Sequence, residues 1–212
     1  MKKTLSLVAL TLVLGIHSQA QSKVKDPNKN LPLYFDFTYG WALPQGNFAS
    51  DKPPGAGYAT HGSHVTTRLG WAAANNFALE LDYFYARYGV QPGAQINGLF
   101  LDNWKYSGIT FGPAIKAPMG KRFEANFLLK GGISWVKAAV PDVSNGTVTK
   151  EKANTFILKP GLDLRYSITR NVFIIGDLDW AYMGPKFKFS NGTDLDQQIS
   201  AFHLGFGLGV RF

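Results

Sequence analysis

The chain contains no cysteine. That excludes disulfides, thiolate metal centres, a cysteine nucleophile and a lipidated cysteine anchor. Charge is scarce too: 17% of residues are Asp, Glu, Lys or Arg, against about 25% in an ordinary soluble domain. No apolar run reaches the roughly 20 residues of a membrane-spanning helix. The most apolar stretch, Leu5–Ile16, follows Lys2 and Lys3 and precedes Ser18-Gln19-Ala20. Basic, apolar and small residues in that order predict a secretory signal over 1–20, cleaved after Ala20. A polar lead-in over 21–30 is expected to be disordered in the periplasm. An exported chain without a spanning helix is either soluble or a membrane β-barrel.

What is abundant points to β structure. Aromatics make up 14% of the 212 residues and glycine supplies 23 of them, and the length fits one domain, over 31–212. Apolar residues recur with period two in eight stretches, so each is expected to be a strand with one greasy face. In the last, Phe202, Leu204, Phe206, Leu208, Val210 and Phe212 alternate with His203, Gly205, Gly207, Gly209 and Arg211. The others are Leu33–Ala42, His64–Ala72, Phe77–Tyr88, Tyr106–Lys116, Phe123–Trp135, Phe156–Tyr166 and Val172–Tyr182. Long connections (43–62, 89–103, 138–153, 183–198) alternate with the short turns AANN, PMGKR and SITRN. That is the pattern of an all-β, eight-stranded antiparallel up-and-down transmembrane barrel, with short periplasmic turns and long extracellular loops. An even strand count puts both termini in the periplasm.

The two phases differ in size as well as polarity. An eight-stranded barrel encloses a space just wide enough for side chains to fill. The glycine-rich, sparsely charged phase therefore fits inside and the bulky phase fits lipid. Trp41, Trp135, Trp180, Tyr85 and Tyr182 fall where strands run into long loops, and Trp71, Phe123, Tyr166 and Phe212 fall at short-turn ends. Two aromatic girdles are expected from this. Inside, short-turn registers bring Arg68 opposite Glu80 and Asp82, Lys116 opposite Glu124, and Lys159 opposite Asp179. These pairs predict a filled lumen closed to solutes, because unpaired buried charge is costly. Pro113 and Pro160 lie inside strands, so bulges are expected beside Gly112 and Gly161. Trp104 and Tyr106 run out of phase with Ile109 and Phe111, which predicts an irregular start to the fourth strand.

The terminal phenylalanine with its alternating apolar partners Leu208 and Val210 resembles the C-terminal signal of outer-membrane barrels. Together with the signal peptide, the chain over about Leu31–Phe212 is similar to the small eight-stranded barrels of the OmpA transmembrane-domain and OmpX type, including the compact barrels common in Bacteroidetes. The resemblance implies outer-membrane location and handling by periplasmic chaperones and the barrel-insertion machinery, which would read Leu208, Val210 and Phe212. It specifies architecture rather than activity. The expectation is a barrel without the peptidoglycan-binding domain of full-length OmpA.

Chemistry is sparse. His61 and His64 have ligand-like spacing, but no neighbouring acidic cluster in sequence completes a metal site, so neither metal nor cofactor is expected. Ser63 and His64 point to opposite faces of a strand, as do Ser200 and His203, so no nucleophile and base share a site. The expected function is non-enzymatic: envelope structure, or surface binding through the loops to an extracellular ligand. The alternatives are a lipid A deacylase or acyltransferase, and a narrow channel for small solutes. Lys52, Arg87, Lys137, Lys150, Lys152, Lys186 and Lys188 near the rims suit lipopolysaccharide phosphates. Nucleic acid is not an expected partner, and a monomer is. The first long connection, rich in Gly and Pro, is expected to be the most flexible. Two connections carry the tetrapeptide SNGT, whose Asn-Gly step favours a hairpin turn.

Overall fold

The computed structural model describes residues 32–52, 56–96, 99–144, 147–188 and 194–212. The expected signal over 1–20, the lead-in over 21–30 and the Asn-Gly steps of both SNGT tetrapeptides lie outside these residues. Eight strands form the barrel: β1 (Leu33–Gln45), β2 (Ala59–Ala74), β3 (Phe77–Val90), β4 (Trp104–Pro118), β5 (Phe123–Ser144), β6 (Thr147–Ser167), β7 (Val172–Met183) and β8 (Ile199–Arg211). Each pairs antiparallel with its chain neighbours, and β1 pairs with β8 to close the sheet. Closure leaves no unpaired strand edge. At the seam the backbone N–H of Phe212 donates to the Leu33 carbonyl at 2.9 Å.

The period-two pattern translates directly into two surfaces. From Leu33 to Ala42 the side chains alternate strictly between exposed and buried. Outward lie Phe35, Phe37, Leu81, Phe111, Leu129, Phe156, Leu164 and Leu208, each more than 40% exposed. The inner face is layered. Near the short turns, Tyr34, Ala78, Ala114, Leu128, Phe173 and Ile175 form a small apolar cluster. Charged residues fill the middle. At the long-connection end Phe48, Tyr88, Trp104, Tyr106 and Phe187 form a second buried cluster.

Several expectations need correction. The start of β4 is regular, and Trp104 and Tyr106 point into the lumen, each 1% exposed. The barrel admits these large rings because the surrounding inward positions are small: Ala42, Ala86, Ala153, Ala181 and Ala201. The prolines cause no bulge. Between β4 and β5 pairing stops after Phe111↔Gly131 and resumes at Ala114↔Leu128 in the same register. Between β6 and β7 it stops at Leu158↔Tyr182 and resumes at Gly161↔Asp179, again unshifted. Each proline removes a donor toward one neighbour only, and its other ladder, at Leu79↔Pro113 or Leu129↔Pro160, is kept.

The long connections are more ordered than their composition suggests. The third is largely strand, with β5 and β6 pairing out to Ser144↔Thr147 past an irregularity between Lys137 and Pro141. Continued pairing satisfies the backbone of a projecting ribbon. The fourth holds a small hairpin of Lys186–Lys188 with Asp194–Asp196. The first is not simply flexible: a short turn of 3-10 helix, Gly46–Phe48, delivers Phe48 into the barrel mouth, where it is fully buried.

A closed barrel of this kind should resist detergent until heated. Unboiled protein should migrate on a denaturing gel at a mobility distinct from the boiled form, and a mobility indifferent to boiling would contradict closure.

Candidate functional site

Tilted strands place the inward residues of β1, β2, β3, β5 and β6 around one point at mid-lumen. Glu80 is its centre. It accepts from the Tyr34 hydroxyl, lies 3.2 Å from Arg68 Nε and 2.7 Å from Lys130 Nζ, and accepts from Arg165 Nη2 at 2.8 Å. Asp82 bridges Arg68 Nε at 3.1 Å and Lys130 Nζ at 2.8 Å. Asp163 joins Arg68 to Arg165, the latter at 3.0 Å. Asp36 faces both guanidinium groups at 3.8 and 3.6 Å. The Arg165 guanidinium also lies over the Tyr34 ring at 4.4 Å, a cation–π contact. A β-carbon at Gly70 would overlap that ring, so the tyrosine lies across bare backbone.

The hairpin pairs read from the sequence meet at several levels inside the lumen. Besides Arg68 with Glu80 and Asp82, Lys116 Nζ is 3.2 Å from Glu124, and Lys159 Nζ is 3.1 Å from Asp179. Sequence reading missed the contacts that cross the lumen, such as Arg68 to Asp163 and Lys130 to Glu80, because short-turn registers relate adjacent strands only. Tyr34, Asp36, Lys130, Asp163 and Arg165 all belong to the network. The signal that could have found them was present, since each falls in the inward phase.

Both ends of this ionic layer are stoppered. At the long-connection end Phe48 packs edge-on against Tyr88 and Trp104, at ring distances of 5.0 and 5.6 Å, and Phe187 lies 6.0 Å from Trp104. Trp104 Nε1 donates to the Gly57 carbonyl at 2.8 Å, which ties the first connection across the mouth. The arrangement is a set of mutually neutralised charges in a closed, narrow lumen.

On the outside, Trp41, Trp71, Tyr85, Phe123, Trp135, Trp180 and Tyr182 are exposed; Tyr166 is half-buried beside Phe123 at a ring distance of 4.8 Å. Leu208, Val210 and Phe212 also point outward. Beyond Tyr85 and Trp135, toward the long connections, the register builds a feature invisible in sequence. Arg87 pairs with Lys105, Lys105 with Lys137, and Lys137 with Lys152, so four consecutive strands carry one cation each in a single row. None of the four points into the buried lumen. Like charges directly opposite destabilise a sheet, so the row favours an anionic counterpart. Lys105 was not among the basic residues read from the sequence; its place appears only once β4 is registered against β3 and β5.

The serine–histidine combinations do not form sites. His64 is buried while Ser63 belongs to the opposite phase. Ser200 Oγ accepts from Trp180 Nε1 at 2.8 Å, whereas His203 is buried in the lumen. His61 is exposed and His64 buried, so that pair diverges too.

No protein-family model and no curated protein matches the sequence. Solved structures do match at the level of fold. Neisserial surface protein A is 15% identical, with 85% of this chain and 97% of that chain covered and a TM-score of 0.55. OprG from Pseudomonas aeruginosa is 11% identical, with 87% and 98% covered and a TM-score of 0.51. A major outer membrane protein from Thermus thermophilus is 12% identical, with 85% and 99% covered and a TM-score of 0.50. The fold is thus that of the small outer-membrane barrels.

Removing Glu80 takes the shared central carboxylate from three buried cations, Arg68, Lys130 and Arg165, and an acceptor from Tyr34. Glu80→Ala should lower unfolding stability in detergent by about 3–5 kcal/mol. Breaking the exposed Lys186–Asp196 pair, 3.4 Å apart, by Asp196→Ala should change it by no more than about 1 kcal/mol. Chemical unfolding followed by tryptophan fluorescence measures both, and equal effects would contradict the network's role.

Proposed function

We propose that this chain is an integral outer-membrane barrel whose role is non-enzymatic, in envelope structure or in contacts made at the outer surface. The observation that carries the reading is the inverted polarity of the sheet. Large apolar side chains cover the outside all the way round, from Phe35 and Phe37 on β1 to Leu208 and Val210 on β8. A water-soluble monomer rarely exposes apolar patches beyond a few hundred Å². The signal sequence, girdle aromatics and terminal Leu208, Val210 and Phe212 support delivery by periplasmic chaperones and insertion machinery. The stoppered lumen argues against a solute channel, and the divergent serine–histidine pairs argue against a lipid A hydrolase or acyltransferase.

The row of Arg87, Lys105, Lys137 and Lys152 supports a specific contact: the phosphates of lipopolysaccharide, which lie at the headgroup level beside such a girdle. Facing phosphate relieves the cross-strand repulsion within the row. Surface ribbons such as the β5–β6 hairpin and the Lys186–Asp196 hairpin remain available for an extracellular ligand.

Two experiments test this reading. Reconstituted into planar bilayers, the protein should give no conductance steps above the bare membrane, and reproducible unitary steps would contradict the sealed lumen. With all four row residues changed to glutamine, the thermal stabilisation given by added lipopolysaccharide should fall substantially while stability in neutral detergent holds or rises. Undiminished lipopolysaccharide stabilisation would remove the row from the account.

A further inference from the structure

Above the Glu80 network, His64 and Asp177 are left without hydrogen-bonding partners among the described residues. His64 on β2 and Asp177 on β7 lie in one cross-strand row, joined by His64↔Gly40, Gly40↔Gly205 and Gly205↔Asp177. The two intervening positions, on β1 and β8, are glycine. A β-carbon at Gly205 would overlap the Asp177 carboxylate, so the bare wall is what lets Asp177 lean toward His64. Asp179, two residues along β7, shares the inward face. One donor atom each from His64, Asp177 and Asp179 lies within 4.8 Å of the others.

Asp36 and Asn126 also carry side-chain atoms without hydrogen-bond partners; in this cluster such atoms belong to an imidazole and a carboxylate that face each other. His64 and Asp177 are 1% and 2% exposed, yet neither ring nitrogen and neither carboxylate oxygen has a hydrogen-bond partner among the described residues. Their nearest approach, His64 Nε2 to Asp177 Oδ2, is 3.7 Å, beyond a hydrogen bond. Asp179 is held firmly: Lys159 Nζ lies 3.1 Å from Oδ2, and His203 Nδ1 donates to Oδ1 at 2.7 Å. The Tyr88 and Tyr106 hydroxyls lie 3.0 and 2.8 Å from His203 Nε2, and the His203 ring stacks on His64 at 4.7 Å. Among the described residues the Lys159 ammonium pairs with Asp179 and not with Asp177. Burying Asp177 and His64 in this state leaves four polar atoms desolvated without a hydrogen bond.

We propose that His64, Asp177 and Asp179 form a binding site for a divalent first-row cation of the zinc class inside the lumen. One imidazole and two carboxylates are hard-to-borderline donors that suit Zn²⁺ or Co²⁺ and not a soft ion such as Cu(I). A tetrahedral ion with ligands at about 2.1 Å holds them roughly 3.4 Å apart, so the cluster closes onto it by small side-chain rotations, with a fourth position for water. The cation bonds the free His64 nitrogen and the free Asp177 oxygen at once and neutralises the second carboxylate. His203, with Tyr88 and Tyr106 behind it, is a positioning residue that fixes Asp179, as outer partners of metal ligands do. Phe48 and Trp104 stopper the lumen above, so the ion enters as the barrel folds and exchanges slowly afterwards.

The test is to refold the chain in detergent with Co²⁺, dialyse it, and measure bound metal and visible d–d absorption, with gel mobility before and after boiling as the folding control. The site predicts about one cobalt per folded chain with nitrogen- and oxygen-ligand bands, displaced by Zn²⁺. His64→Gln and Asp177→Asn should lose the bands, and His203→Gln should weaken binding by about 10–100-fold. Zn²⁺ present at refolding should also raise the thermal midpoint of the wild type. Folded wild type that retains no more cobalt than His64→Gln, or none where the variants fail to fold, overturns the proposal.

Discussion

Everything in this barrel depends on charge neutralisation within a lumen too narrow for bulk water to do it. Around Glu80, two guanidinium groups and an ammonium meet the carboxylates of Asp36, Asp82 and Asp163 from five strands. Any one of these ions buried alone would cost several kcal/mol. Because each ion serves between two and four others, the strands are held at one tilt and register. Side-chain networks of this kind are worth more than their separate pairs. A uniformly apolar filling would fix the register less sharply.

The ionic layer also dictates what lies above and below it. Its worth falls if water enters, and both ends are closed by aromatic side chains lying over small residues. Tyr34 and Phe173 meet edge-on at 6.4 Å near the short turns, and Phe48, Tyr88 and Trp104 close the other mouth. The outer surface follows a separate logic. There the bulky phase meets lipid, aromatic rings lie toward both strand ends, and the row from Arg87 to Lys152 lies beyond Tyr85 and Trp135. Inside and outside are independent designs on one sheet, since successive residues face opposite solvents.

How much of this was legible in the sequence depended on the range of each interaction. Alternation is local, so the eight strands, their faces and the hairpin pairs such as Lys116 with Glu124 could be read from the chain. Closure is global. Arg68 finds Asp163 only when β2 and β6 face each other across the lumen, and His64 finds Asp177 only when two glycine positions stand between them. The same limit hid the basic row, because Lys105 joins Arg87 and Lys137 through two registers, one of them set by a long connection. The proline expectation failed for a different reason. A missing N–H was assumed to need a bulge, whereas each ladder simply omits the pairs around the proline and continues in register. Phe48 was hidden by its setting among Gly and Pro, which says nothing about a single aromatic that anchors a mouth.

Inside-out polarity sets the apolar phase against hydrocarbon and the charged phase toward a sealed interior. The absence of cysteine allows one spin label at a time to be placed at Phe37, Phe127 or Leu204 in protein reconstituted into bilayers, with collisional relaxation read against dissolved oxygen and a water-soluble nickel chelate. All three sites should be open to oxygen and shielded from the chelate. Strong relaxation by the chelate at these positions would contradict the account.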